Sequence, residues 1–161
     1  MAAGTTYSPI ATYTVSGSSQ RSYTFSSIPS TYTDLVLVVR GSAGAGANCY
    51  IRLNGDIGTN YSFIYASGNG SATEAGRATT QDAAYVGAFY SNSMCITNIM
   101  NYSSTSLNKT LLSQEGDASN FTRIYVNTWR SNSAVNSVTF LGNEANLDVG
   151  TSLTIYGIAA A

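Results

Sequence analysis

Apolar and polar residues alternate with a period of two along most of this chain, and no useful length carries the spacing of an amphipathic helix. Tyr23 and Phe25 alternate with Ser22, Thr24 and Ser26, which predicts a half-buried strand. Leu35 to Val39 is apolar at every position, so both of its faces should be covered. Cys49, Ile51 and Leu53 alternate with Tyr50 and Arg52 and run into Asn54-Gly55-Asp56. Asn-Gly tolerates positive φ and signals a hairpin. Further strands are expected at Tyr61–Ala66, Ala84–Phe89, Met94–Tyr102, Asn108–Ser113, Phe121–Arg130, Ser133–Leu141 and Ser152–Ile158. Within Phe121–Arg130, Ile124 and Val126 share one face while Tyr125 and Trp129 share the other, with Trp129 expected in the core.

Nine or ten short strands separated by Gly-, Asn- and Ser-rich turns indicate an all-β fold. A two-sheet antiparallel β-sandwich of the jelly-roll kind suits them best. Ser67–Thr80 lacks a clear pattern and is expected to be an extended loop, often a functional feature at that length. The organisation read from the chain is an N-terminal arm over residues 1–10 and one domain over residues 11–161. Nothing in the first twenty residues is charged, so this stretch reads as an arm or an edge strand lying against another surface. Thr5, Thr6, Tyr7, Pro9 and Ile10 are its candidate interface residues.

Composition narrows the function classes. The 161 residues carry 7 basic and 8 acidic side chains, a net charge of −1, so there is no basic face to neutralise phosphates and nucleic acid is not expected as a partner. His is absent, which removes Ser–His and Cys–His catalysis and His-ligated zinc. Ser, Thr and Asn make up about a third of the chain, and hydroxyls and amides must hydrate most of its surface. The 43% apolar content in ordered runs argues against disorder. No apolar run is long enough to span a bilayer, and MAAGTTYSPI has neither a basic region nor an apolar stretch, so no signal peptide is expected. Cys49 and Cys95 are expected as buried thiols.

The acids Asp34, Asp56, Glu74, Asp82, Glu115, Asp117, Glu144 and Asp148 could in principle supply a carboxylate pair for glycoside hydrolysis, yet most lie in predicted turns beside Gly, Asn or Ser. Asn54-Gly55-Asp56 and Glu115-Gly116-Asp117 lack the alternating acids and closing Glu of a calcium loop. The one lysine, Lys109, sits in a Thr/Asn-rich strand and is no evident base. No enzyme activity, metal or cofactor is expected. Tyr61, Tyr65, Tyr85 and Tyr90 fall near predicted loops and are candidates to stack on sugar rings, although Tyr also lines strand faces and interfaces.

Several stretches resemble a family of small jelly-roll virion proteins of tailed bacteriophages, cyanophages especially. They are Ser22-Tyr23-Thr24-Phe25 with Ile28-Pro29-Ser30-Thr31-Tyr32-Thr33-Asp34-Leu35, and Ile51-Arg52-Leu53-Asn54-Gly55-Asp56 with Gly58-Thr59-Asn60-Tyr61-Ser62. Asn101-Tyr102-Ser103-Ser104-Thr105, Lys109-Thr110, Trp129-Arg130-Ser131 and Gly150-Thr151-Ser152-Leu153-Thr154-Ile155-Tyr156-Gly157-Ile158 continue it in order. Cys49, Cys95 and Ser67–Thr80 lie outside the resemblance. It implies a capsid cement (decoration) protein or a terminal domain of a tail fibre or baseplate appendage. The chain shows no collagen-like, coiled-coil or β-helical shaft, which favours the capsid. The expectation is therefore a cement protein on the capsid exterior, assembled in the host bacterial cytoplasm. Its partner would be the major capsid protein and its natural form a homotrimer. The alternative is a tail-fibre or baseplate module that binds host glycans.

Overall fold

The computed structural model describes residues 6–44, 46–117 and 121–159. These residues form twelve strands and no helix. In chain order they are β1 (Tyr7–Thr14), β2 (Ser22–Phe25), β3 (Asp34–Gly41), β4 (Ala47–Leu53), β5 (Tyr61–Gly68) and β6 (Thr73–Gln81). They continue with β7 (Ala84–Phe89), β8 (Ser93–Met100), β9 (Lys109–Asp117), β10 (Phe121–Trp129), β11 (Val138–Gly142) and β12 (Ser152–Ile158). One sheet has the order β1-β12-β3-β8-β9-β10-β5-β6 and the other the order β2-β11-β4-β7.

Without β5, β6, β9 and β10, the remaining eight strands form two four-stranded sheets, β1-β12-β3-β8 and β2-β11-β4-β7. Apart from β4 and β7, which are neighbours in the narrow sheet, successive strands of this set alternate between the sheets, and every pairing is antiparallel. This is the connectivity of a jelly roll. The two remaining hairpins, β5–β6 and β9–β10, both join the same sheet, where β9 pairs with β8 and β10 pairs with β5. One sheet is therefore twice as wide as its partner.

The core lies between the sheets. Leu35, Leu37 and Val39 of β3 and Leu153 and Ile155 of β12 are buried in one cluster with Phe25, Ile51, Leu53, Val138 and Phe140 from the narrower sheet. Aligned sandwiches are closed in this way by the inward positions of both sheets. The other face of β3 has no second layer. Val36 is buried there between its register neighbours Tyr156 and Asn98, and Val38 is half-buried. The all-apolar run of β3 is thus covered by a sheet on one face and by neighbouring side chains on the other.

Three local expectations change. Asn54 and Gly55 do adopt positive φ (53° and 66°), but the turn joins β4 to β5 in different sheets and makes no hairpin, because β4 already has β11 and β7 on its two edges. Ser67–Thr80 is an ordered hairpin: β5 runs through Gly68, Asn69 closes the turn by accepting from Ser71 N and Ala72 N, and β6 returns. Its residues are small or polar on both faces, so no alternation marks the strand. Ser133–Leu141 is a strand only from Val138. Before it, the Asn54 side chain donates to Ala134 O and accepts from Asn136 N and Ser137 N.

Asp56 fastens the turn to the core. Its carboxylate accepts from Trp129 Nε1 (2.6 Å), Asn60 Nδ2 (2.9 Å) and Gly58 N (2.7 Å). Burial works against the ionised form, but the three donated hydrogen bonds outweigh it and hold the carboxyl below its ordinary value. Asp56→Ala leaves the buried indole N–H without its acceptor and should cost about 1–3 kcal/mol in denaturant unfolding. A carboxyl with a depressed folded-state pKa stabilises the fold above its unfolded value of about 4, and that contribution disappears as pH falls through the folded value. Acid unfolding curves should therefore fall more steeply over that range for the native protein than for Asp56→Asn, which does not titrate.

Candidate interaction surface

The two faces of the wide sheet differ in chemistry. Register places Val36 and Val38 of β3, Ile96 of β8, Leu112 of β9, Ile124 and Val126 of β10 and Ile64 of β5 on the outward face, in one continuous band. Ile64 is 63% exposed, Val126 45% and Ile124 42%. The band deepens into a trough of about 680 Å³ where β5 and β6 carry the small residues Ala66, Gly68 and Ala75 beside Ile124 and Gln114, with Glu74 and Arg123 also lining it at the hairpin end. Charged residues at outward positions among the described residues are Asp34, Arg40 and Arg77. Asp34 and Arg40 stand at the two ends of β3. Exposed aliphatic residues in one patch of this extent mark an interaction surface.

Of the expected interface residues, Thr5 lies outside the described residues. Thr6 is exposed and its carbonyl accepts from Ala159 N (3.3 Å). Tyr7, Pro9 and Ile10 do not project as an arm; they form the first part of edge strand β1, paired to β12. Tyr7 and Pro9 stand opposite Ile158 and Tyr156, and the rings of Tyr7 and Tyr156 meet edge to face at 6.3 Å. A bulge between Pro9 and Ala11 then turns the alternation over, so that Ile10, Ala11 and Tyr13 pack on the core. Tyr7 and Pro9 therefore extend the outward face. Sequence reading missed its centre at Ile64, Ile124 and Val126, although the pairing of Ile124 with Val126 opposite Tyr125 and Trp129 was the signal for it.

The inward face beyond β8 is polar and aromatic. Edge strand β7 of the narrow sheet packs across β8, β9, β10 and β5. Beneath it lie the paired hydroxyls of Thr97 and Ser113 (2.9 Å), Asn127 donating to Tyr85 O (2.9 Å), and buried Glu115. Gly87 makes room for that carboxyl group: a Cβ there would stand 2.7 Å from Glu115 Cδ. Phe63, Tyr65, Tyr85 and Tyr125 form a tilted and edge-to-face ring network, with Tyr85 and Tyr125 centroids 4.9 Å apart. Cys49 and Cys95 are buried free thiols, and burial pushes both well up, with Cys95 at about 12, so neither is poised to react.

The candidate acids are dispersed. Asp82 pairs with Arg52 (2.5 Å), Asp34 accepts from Asn101 N (2.7 Å), Asp148 accepts from Gly44 N (3.3 Å), and Asp56 serves its turn. Among the described residues no three His, Cys, Asp or Glu side chains are grouped to hold a metal ion. Lys109 donates from Nζ to Ser104 O (2.8 Å) and Leu107 O (2.7 Å), fastening the β8–β9 connection. Of the four tyrosines considered for sugar stacking, Tyr61 is in the core with Leu53 N donating to its hydroxyl, and Tyr65 and Tyr85 belong to the ring network. Tyr90 lines an open cleft.

Comparison of the chain with protein-family models, with curated proteins and with solved structures gives no match.

Burial raises Tyr61, Tyr125 and Tyr85, the last to about 12. A tyrosine with a raised folded-state pKa contributes stability in full below its unfolded value of about 10 and loses it as pH rises through the folded value. The buried Cys49 and Cys95 thiols, also raised, follow the same rule from about pH 8.5, so stability should decline gently above that pH and more steeply above about pH 10. Tyrosinate absorbance should include a cooperative step that coincides with loss of the near-ultraviolet circular dichroism signal.

Proposed function

We propose that this chain is a non-enzymatic structural protein of a tailed-phage particle, a cement protein that binds the major capsid protein from the shell exterior and strengthens the shell against packaged DNA. The observation that carries the reading is the outward face of the wide sheet, where exposed Ile64, Ile124, Val126 and, opposite Arg40, Met94 flank half-buried Val38, Ile96 and Leu112, with charges kept to its margins. Such a face binds by area, and docking it removes few charges from water. The resemblance of the strand and turn segments to jelly-roll virion proteins supplies the identity of the surface it meets. A homotrimer suits the role, since closed symmetry repeats each modest contact and raises the combined affinity.

The face makes the reading testable. Ile64→Lys with Val126→Lys should weaken attachment to phage heads stripped of this protein by about a hundredfold, the penalty for desolvating two ammonium groups. The folded domain should be unchanged by circular dichroism, because both side chains are already exposed. Attachment of the native protein should persist in about 1 M salt, where charge-based contacts are screened to a few ångströms. Quantitative mass spectrometry of particles should give hundreds of copies. A few dozen copies or fewer would place the chain on the tail and refute the shell assignment.

A further inference from the structure

We infer that the inward side of the β5–β6 hairpin carries a binding cleft for a single neutral pyranose. The wide sheet outruns the narrow one, so the end of this hairpin stands clear of β7 and encloses a cleft of about 310 Å³ with the residues around it. Its lining side chains are Ser67, Asn69 and Glu74 from the hairpin, Tyr90 after β7, and Phe121 and Arg123 at the start of β10. The size is at the low end of ligand sites and suits one ring rather than a chain of them.

The walls are held in place before any ligand arrives. Tyr90 rests on Gly46, where a Cβ would stand 2.6 Å from its ring, and Tyr90 N donates to the hydroxyl of buried Ser93 (2.9 Å). The Tyr90 and Phe121 rings meet edge to face, with centroids 5.4 Å apart at 70°. The Arg123 guanidinium carbon lies 3.4 Å above the centroid of Phe121. The Asn69 carbonyl oxygen accepts from Ser71 N and Ala72 N, so the group its side chain offers a ligand is the amide NH2.

These groups select by chemistry. The Tyr90–Phe121 corner offers a small aromatic surface to the C–H edge of a ring, within a lining that is otherwise polar. Glu74 accepts from hydroxyls, while the Asn69 amide and the Arg123 N–H groups not engaged by Tyr125 donate to hydroxyl oxygens. Arg123 already occupies a face of Phe121 and adds positive charge, which disfavours an ammonium ligand in the aromatic corner. Glu74 on the facing hairpin disfavours a phosphate. A polyhydroxylated ring with one apolar face meets every condition. The cleft shares Ser67, Glu74 and Arg123 with the trough at the end of the aliphatic band but not Ile64 or Val126, which lie further along the outward face.

Methyl glycosides of glucose, galactose, mannose and N-acetylglucosamine, titrated into the full-length protein by NMR, test this directly. At least one should bind at millimolar concentration and shift the resonances of Tyr90, Phe121 and the Glu74 backbone. Glu74→Ala, at an exposed edge-strand position, should weaken that binding about tenfold with circular dichroism unchanged, as expected for losing a charge-assisted hydrogen bond. Ile64→Lys should leave it intact while reducing head attachment, which separates failure of the cleft from failure of the docking face. Absence of binding by all four glycosides overturns the inference. So does binding that is undiminished in both Glu74→Ala and Arg123→Gln, or cleft shifts produced by adenosine or choline but by none of the sugars.

Discussion

The backbone ladder between β8 and β9 decides the shape of this protein. In a plain jelly roll β8 would end its sheet with a row of unpaired N–H and C=O groups, a costly and adhesive edge. Here β9 pairs with it from Met94↔Gly116 to Met100↔Thr110, and β10, β5 and β6 then follow in turn. The four added strands have no equivalent in the facing sheet. Their inward side chains cannot all be buried against a second layer, and their outward ones inherit the aliphatic band of β3. Both candidate surfaces follow from this inequality of width.

The interior beneath the added strands differs from the original core for the same reason. Around β3 and β12 the packing is Leu, Ile, Val and Phe, as water is fully excluded. Toward β9 and β10 it changes to Thr97, Ser113, Glu115, Asn127 and tyrosines, where the Thr97 and Ser113 hydroxyls pair and the Asn127 amide donates to Tyr85 O. Buried polar groups of this kind fix one arrangement of strands, because a slip of register would strand them without partners. Lys109 makes the same point at the β8–β9 connection, where a single ammonium collects two backbone carbonyls.

Legibility in the sequence tracked how completely each strand is sandwiched. Ala84–Phe89 and Ser152–Ile158 were readable to the residue, since burial imposes alternation or an unbroken apolar run. The strand β6 was unreadable, because both of its faces meet solvent and Thr, Ala, Gly and Glu satisfy that without periodicity. The Asn54-Gly55 turn was legible as a turn but not as a change of sheet, which depends on Asp56 reaching Trp129 seventy-three residues away. For the outward face, the sequence showed the alternation in β10 but not which side was turned to water. A hydrophobic side chain does not announce its partner. Only the pairing of β10 with β5 and β9 brings Ile64, Leu112 and Val126 side by side.

The bulge in β1 has a bearing on how copies of the chain meet at the margin of the wide sheet. Pro9 has no N–H to offer, and the shift between Pro9 and Ala11 breaks the regular row of groups along that margin of the sheet. At the opposite margin, β6 carries the charges of Glu74 and Arg77. A sheet finished in this way at both ends is a poor template for another strand. Concentration alone then does little to join copies through the margins of the wide sheet, and any association through that sheet is left to its faces rather than its edges.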